Sequence, residues 1–224
     1  MQIIRKNHKE LNYLIRFPDG YTEGERYPVI FFLHGAGSRG NSLDHLLKNV
    51  YFSYTEQHKG FPFVTVAPQC SDNTWYDMLH LLKELLAITA ESDFADPERI
   101  YLMGASMGGY ATWQLAMSRP ELVAAIVPIC GRGAYWNAAR LKNVPVWAHH
   151  GALDDVVYLD ETEKMVNAVN KSGGSAKLTI YPDVSHASWV PTYKNYEVFE
   201  WLLSHKLHRA EVAHDKYNDV TKYG

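Results

Sequence analysis

The feature that most narrows what this chain can fold into is the run Arg99-Ile-Tyr-Leu-Met-Gly104-Ala105-Ser106-Met107-Gly108-Gly109-Tyr-Ala-Thr-Trp113. Ile100 to Met103 is a short apolar run that reads as a buried strand. Beyond Gly109 the positions Tyr110, Trp113, Leu115 and Met117 recur at helical spacing, and the helix has to stop before Pro120. A serine between strand and helix, with glycine two positions to either side, marks a sharp turn. The serine takes a strained backbone conformation, and the missing Cβ atoms let strand and helix close on each other. Gly-x-Ser-x-Gly arises by chance in roughly 7 % of chains this long, so the flanking strand and helix give it its weight. The helix N-terminus beneath the hydroxyl supplies free N–H groups.

The rest of the chain alternates in the same way. Residues 1–5 and Leu11–Phe17 read as two strands joined by the polar turn Asn7-His8-Lys9, the second alternating as an antiparallel edge strand would. Tyr27–Leu33, Phe61–Ala67, Leu122–Ile129, Val144–His149 and Ala176–Tyr181 read as further strands. Helical spacing marks Leu43–Tyr54, Met78–Ala90, Tyr158–Lys171 and Asn195–Leu207. Eight candidate strands, most of them apolar throughout and separated by helices, predict an α/β fold: a mostly parallel eight-stranded sheet with helices on both faces. No repeat or low-complexity linker interrupts the pattern. The expected organisation is a single domain over residues 1–207, followed by a polar C-terminal tail over 208–224. Only Gly131 to Leu141 separates the sixth strand from the next segment, which leaves no room for a cap domain.

A formal net charge of −3 and the lack of a basic stripe argue against a nucleic-acid partner. No run approaches transmembrane length, so no membrane span is expected, and the N-terminal segment lacks the apolar stretch of a signal peptide. If Met1 is the native start, a cytoplasmic location follows. Cys70 and Cys130 lie far apart, with neither a metal-ligand nor a redox spacing, and are expected to be free buried thiols in a reducing compartment.

In a sheet of this kind the chemistry collects outside the carboxyl ends of the strands. A serine hydroxyl needs a base to take its proton, and the base needs a third group to orient it. Ser106, Asp154 and His186 each follow a separate strand, in the chain order nucleophile, acid, base. Asp155, adjacent to Asp154, is the rival acid. Asp183, three residues before His186, is more suited to stabilising its own turn. The oxyanion of a tetrahedral intermediate needs preorganised donors. The backbone N–H of Met107 is one. The other is expected from His34-Gly35-Ala36-Gly37, with Ala36 first and Gly37 next, while His34 itself is expected to brace the loop. This chemistry requires no metal ion and no organic cofactor.

The segments Tyr27-Pro-Val-Ile-Phe-Phe-Leu-His34-Gly35-Ala36-Gly37, Ala67-Pro68-Gln69-Cys70, Gly104-Ala-Ser106-Met-Gly-Gly109, His150-Gly151-Ala-Leu-Asp154-Asp-Val-Val157 and Ser185-His186-Ala187-Ser188-Trp189 span nearly the whole chain. In them the chain resembles the α/β-hydrolase superfamily. Within it the likeness is to the small lidless serine esterases grouped with dienelactone hydrolases, phospholipase/carboxylesterases and prolyl-oligopeptidase-like esterases. The resemblance implies that the aspartate of His-Gly-x-x-Asp-x-Val, Asp154, is the triad acid. It also implies a carboxylesterase-type serine hydrolase acting on a small-molecule ester. Dienelactone hydrolases proper carry cysteine at the elbow, so the serine here argues against that activity. Feruloyl and acetylxylan esterases with similar segments are usually secreted, whereas this chain starts without a signal.

Trp75, Tyr76, Tyr135, Trp136 and Trp189 all follow strand ends on the triad side. Trp75 and Trp189, with Gly35 and Gly37, are the expected substrate-binding residues, and Arg132 and Arg39 are candidates either for an anionic substrate group or for loop bracing. Without a cap the site should be open, favouring small or extended soluble esters. A serine peptidase or amidase with the same triad, or a non-catalytic binding module on the same fold, are the alternatives. The acyl and alcohol groups and the oligomeric state are not encoded legibly.

Overall fold

In the computed structural model, which describes residues 2–71 and 73–207, eight strands form one sheet. They are β1 (Ile3–His8), β2 (Leu11–Arg16), β3 (Tyr27–Leu33), β4 (Val64–Pro68), β5 (Ala95–Ala105), β6 (Ala125–Ile129), β7 (Val146–Gly151) and β8 (Ala176–Tyr181). Their order across the sheet is β1-β2-β4-β3-β5-β6-β7-β8. β2 runs antiparallel to β1 and β4, and every other neighbouring pair is parallel. The helices are α1 (Leu43–Leu47), α2 (Val50–Gln57), α3 (Leu79–Ala90), α4 (Met107–Ser118), α5 (Leu159–Lys171), α6 (Trp189–Lys194) and α7 (Tyr196–Leu203). The tail expected from His208 onward lies outside the described residues. No helix among the described residues is long and apolar enough to cross a membrane.

Successive side chains of a strand point to opposite faces, so a strand covered on both sides must be apolar throughout. In β3, Val29, Phe31 and Leu33 join one core, with Leu81, Leu85, Trp113 and Met165 of α3, α4 and α5. Ile30 and Phe32 join the other, with Tyr51 and Phe52 of α2 and Phe199 and Leu202 of α7. Phe32 stacks on Tyr51 with ring centroids 4.0 Å apart.

The chain leaves β3 for β4 on one side and then returns past β3 to enter β5 on the other. The connections after β3 and β5 therefore diverge, and a crevice opens at the carboxyl ends of these two strands. Leu33 of β3 is in register with Gly104 of β5. A Cβ on Gly104 would lie 2.5 Å from the carbonyl oxygen of Gly108, and one on Gly108 only 1.8 Å from that of Leu33. Strand, turn and helix meet backbone to backbone here, and only glycine fits at these two positions.

Several boundaries differ from expectation. The first hairpin is tighter than Asn7-His8-Lys9 suggests: β1 continues to His8, which pairs with Leu11, and Lys9 turns the chain with φ 54°. The single helix expected over Leu43–Tyr54 is two, because the Asn49 side chain accepts from the Tyr51 N–H and caps a new helix at Val50. β5 begins at Ala95, through an Asp96-Pro97-Glu98 segment expected to precede it. β6, expected from Leu122, begins at Ala125, because Leu122 instead ends a 3-10 turn over Pro120–Leu122. The expected helix over Asn195–Leu207 begins at Tyr196 and ends at Leu203, and a separate helix, α6, precedes it.

A Gly108→Ala substitution is expected to lower stability by about 3 kcal/mol, the upper range for overpacking, because the added methyl meets rigid backbone. Gly37→Ala, whose Cβ would meet nothing within 4 Å, should leave urea unfolding nearly unchanged. Equal midpoints for the two variants would contradict the close approach.

Candidate active site

Ser106 caps the N-terminus of α4 with φ 56° and ψ −121°, a region where a non-glycine residue costs on the order of 1–3 kcal/mol. Two backbone bonds hold it there: its N–H donates to Ile129 O at 2.9 Å, and its carbonyl accepts from the Tyr110 N–H at 3.0 Å. The strain lifts the hydroxyl off the sheet edge towards the crevice. His186 sits in the turn between β8 and α6, and its Nε2 lies 2.9 Å from Ser106 Oγ. Its Nδ1 lies 2.8 Å from Asp154 Oδ2 and 3.0 Å from Oδ1. An ionised carboxylate only accepts, so the ring proton is on Nδ1, leaving Nε2 free to accept from the serine hydroxyl. Trp189, on the first turn of α6, stands edge-to-face against the imidazole at 5.3 Å and 89°.

The structure thus brings Ser106, Asp154 and His186 into one hydrogen-bonded chain, and it separates the two adjacent aspartates. Asp154 is buried, whereas Asp155 is exposed and makes no contact with His186 among the described hydrogen bonds. Asp154 Oδ1 also accepts from the N–H groups of Val156 at 3.0 Å and Val157 at 2.9 Å. Burial alone would raise the Asp154 carboxyl, but the hydrogen bonds from His186, Val157 and Val156 outweigh it and hold the group below the ordinary carboxylate value. His150 packs beside the carboxylate: its Nε2 is hydrogen-bonded to Val157 O at 2.8 Å and lies 3.2 Å from Asp154 Oδ2. The His150 ring is completely buried, with Nδ1 2.7 Å from Thr162 Oγ1. Sequence reasoning did not single out His150, although the spacing His-Gly-x-x-Asp places it at the end of the same strand.

Met107 is the first residue of α4 and Ala36 the first of a 3-10 turn over Ala36–Ser38, positions whose N–H groups have no acceptor within their own helix. Gly35 packs beside the elbow: a Cβ there would lie 3.2 Å from Ala105 O and 3.6 Å from Ser106 Cβ. His34 is buried and braces this turn. Its Nδ1 lies 2.8 Å from Gly35 O, its Nε2 accepts from the Cys70 N–H at 3.0 Å, and its carbonyl accepts from Trp75 Nε1 at 2.9 Å. Burial pushes its pKa down to about 4, which keeps it neutral. Arg39 donates to Ala36 O and Asn73 O, so it ties the turn to the loop after β4.

Two clefts flank Ser106. One, of about 490 Å³, is lined by the Gly35–Ser38 turn, Lys48, Asn49, Val50, His186 and Trp189. The other, of about 300 Å³, is lined by Trp75, Tyr76, Met107, Tyr110, Val156 and Val157. Gly35, Gly37, Trp75 and Trp189 therefore all border the site, while Tyr135 and Trp136 line a neighbouring recess with Arg132, whose guanidinium lies 5.4 Å from the Tyr110 ring centre. Tyr110, Val156 and Val157 were not foreseen. Tyr110 stands one helical turn after Ser106, a spacing that could have found it. Among the described residues, one cluster has spacing suited to a cation: Cys130, Asp154 and His186, with candidate ligand atoms within 4.8 Å of one another. Asp154 and His186 spend those atoms on each other, and burial pushes the Cys130 thiol up to about 12, so it stays protonated.

The model of the dienelactone hydrolase family matches residues 49–220, a stretch that holds Ser106, Asp154 and His186 and begins after the Gly35–Gly37 turn. Feruloyl esterase D of Neurospora crassa is 24 % identical over 164 residues, covering 67 % of this chain and 56 % of that protein. Among solved structures, a thermostable esterase superposes with a TM-score of 0.77 at 30 % identity, over 92 % of this chain and 63 % of its own. Est1E from Butyrivibrio proteoclasticus, at 14 % identity and a TM-score of 0.70, covers 90 % of this chain and 99 % of its own, and shares the fold. The chain spans between 26 % and 56 % of the length of the first curated relatives it matches. On the family match and the sheet it folds into, the chain belongs to the dienelactone hydrolase family, within the α/β-hydrolase superfamily.

Proposed function

We propose that this protein is a serine carboxylic-ester hydrolase acting on small or extended soluble esters. The observation that carries the proposal is the unbroken chain from Ser106 Oγ through His186 to Asp154, with links of 2.9 and 2.8 Å. His186 Nε2 takes the hydroxyl proton as Ser106 Oγ attacks the ester carbonyl. Asp154, buried and kept ionised by the N–H groups of Val156 and Val157 as well as by His186, stabilises the imidazolium that forms. The N–H groups of Met107 and Ala36 receive the negative charge on the former carbonyl oxygen. His186 then returns the proton to the leaving alkoxide, and a water molecule activated by the same histidine releases the acyl group from the serine. Serine at the elbow, in place of the cysteine of dienelactone hydrolases proper, supports simple ester cleavage over dienelactone opening. Two clefts beside Ser106 that the described residues leave open to solvent support soluble esters.

Hydrolysis of p-nitrophenyl acetate, butyrate and octanoate and of methyl ferulate tests the proposal. Ser106→Ala should reduce turnover of the best ester by about 10⁴-fold or more with unchanged folding. Equal rates in both proteins would remove the serine from the mechanism, and a matching anilide cleaved faster than its ester would favour an amidase.

The ionised state of Asp154 also predicts a pH dependence. A carboxyl held below its unfolded value of about 3.9 stabilises the native state fully above that pH, and loses the contribution as pH falls through the lower folded-state value. The stability gap between wild type and Asp154→Asn, read by urea unfolding, should therefore narrow on acidification below about pH 4. A gap that widens there would mean that the native carboxyl is protonated more readily than the unfolded one.

A further inference from the structure

The two clefts are unequal, and the position of the base distinguishes them chemically. Resting on the serine-esterase proposal, we infer that the smaller slot receives the acyl group and that the larger cleft receives the leaving alcohol. In the tetrahedral intermediate the reacting carbon carries four groups: Ser106 Oγ, the oxyanion, the leaving oxygen and the acyl chain. The oxyanion faces the Met107 and Ala36 N–H groups. The C–O bond to the leaving group breaks as that oxygen takes the proton held on His186 Nε2, so the oxygen must come within about 2.6–3.2 Å of that nitrogen. His186 lines the larger cleft and is absent from the walls of the smaller one. The alcohol therefore departs through the larger cleft, and the acyl chain is left with the remaining side of the septum formed by Ser106 and Val156, which border both cavities.

The walls of the slot define what acyl group it takes. Trp75 is buried and fixed by its bond to His34 O, Val157 is fixed by its N–H bond to Asp154, and Tyr110 is covered by Arg132. Its volume of about 300 Å³ is about ten times the share of liquid occupied by one water molecule, ~30 Å³. An apolar acyl group of about ten non-hydrogen atoms, unbranched or flat between the aromatic faces, is the largest it holds at that packing. Tyr76, 49 % exposed, is the most solvent-exposed of the slot's aromatic walls, so it sets the depth of the slot. The larger cleft, with Val50, Trp189 and Tyr193 among its walls, suits a bulkier alcohol.

A matrix of kcat/KM values tests the assignment, with p-nitrophenyl esters of acetate, butyrate, octanoate and decanoate on one axis and acetates of ethanol, phenol and 1-naphthol on the other. Tyr76→Ala should shift the octanoate-to-acetate preference by about tenfold or more and leave the ranking of the alcohols within about twofold. Val50→Trp, at a 37 % exposed position in the larger cleft, should do the reverse, disfavouring naphthyl acetate by about tenfold with acyl preference retained. An exchange of these two effects, equal effects of each variant on both axes, or no effect of either overturns the assignment. Wild type inactive on every ester of the matrix would instead mean that the serine-esterase proposal itself has failed.

Discussion

The site depends on a backbone contact. At the switch point of the sheet the carbonyl of Leu33, at the end of β3, lies against the first turn of α4, and the turn through Ser106 must pass between them. Any side chain at Gly108 would occupy the space of that carbonyl. The proximity brings the Gly35–Gly37 turn next to Ser106, so two helical N-termini, those starting at Ala36 and Met107, open into one crevice. The strain at Ser106 is sustained because strand β6 on one side and α4 on the other each hold one of its backbone polar groups. Position and chemistry of the nucleophile thus follow from where glycine permits two backbones to meet.

Acid and base are organised by a different principle, the satisfaction of one buried charge. Asp154 is removed from water, which on its own would neutralise it. Donors from three residues, His186, Val156 and Val157, compensate. The loop after β7 therefore winds around the carboxylate rather than merely carrying it, and Val157, whose N–H holds Asp154, turns its side chain to the wall of the smaller cleft. The residue that keeps the acid ionised thereby also shapes the substrate side.

Much of this is legible in the residues themselves. The elbow and the order Ser106, Asp154, His186 could be read because each depends on residue type: glycine for close approach, a carboxylate and an imidazole after successive buried strands. The inner strands β3, β4 and β6 are visible as apolar runs, since burial on both faces leaves no alternation to misread, whereas the edge strands β1 and β8 are mixed in type and partly exposed. The ends of the elements are not legible in this way. Asn49 looks like one polar residue in a helical pattern until its side chain is seen capping Tyr51, and α6 hides behind Pro191, which the first turn of a helix tolerates. Pocket aromatics were half legible. Trp75 and Trp189 border the clefts, but Tyr135 and Trp136, equally aromatic and equally near a strand end, lie in the neighbouring recess, because loop paths beyond a strand carry no periodicity to read.

The central claim is that Ser106 is a nucleophile made reactive by His186 and Asp154. A fluorophosphonate reacts with an activated serine and not with an ordinary one, so intact-mass measurement after brief labelling tests the claim most directly. The account predicts a single phosphonyl adduct per chain, mapped to Ser106, absent in Ser106→Ala and formed far more slowly in His186→Ala. An unlabelled wild-type protein, or an adduct that forms at the same rate without His186, would contradict it.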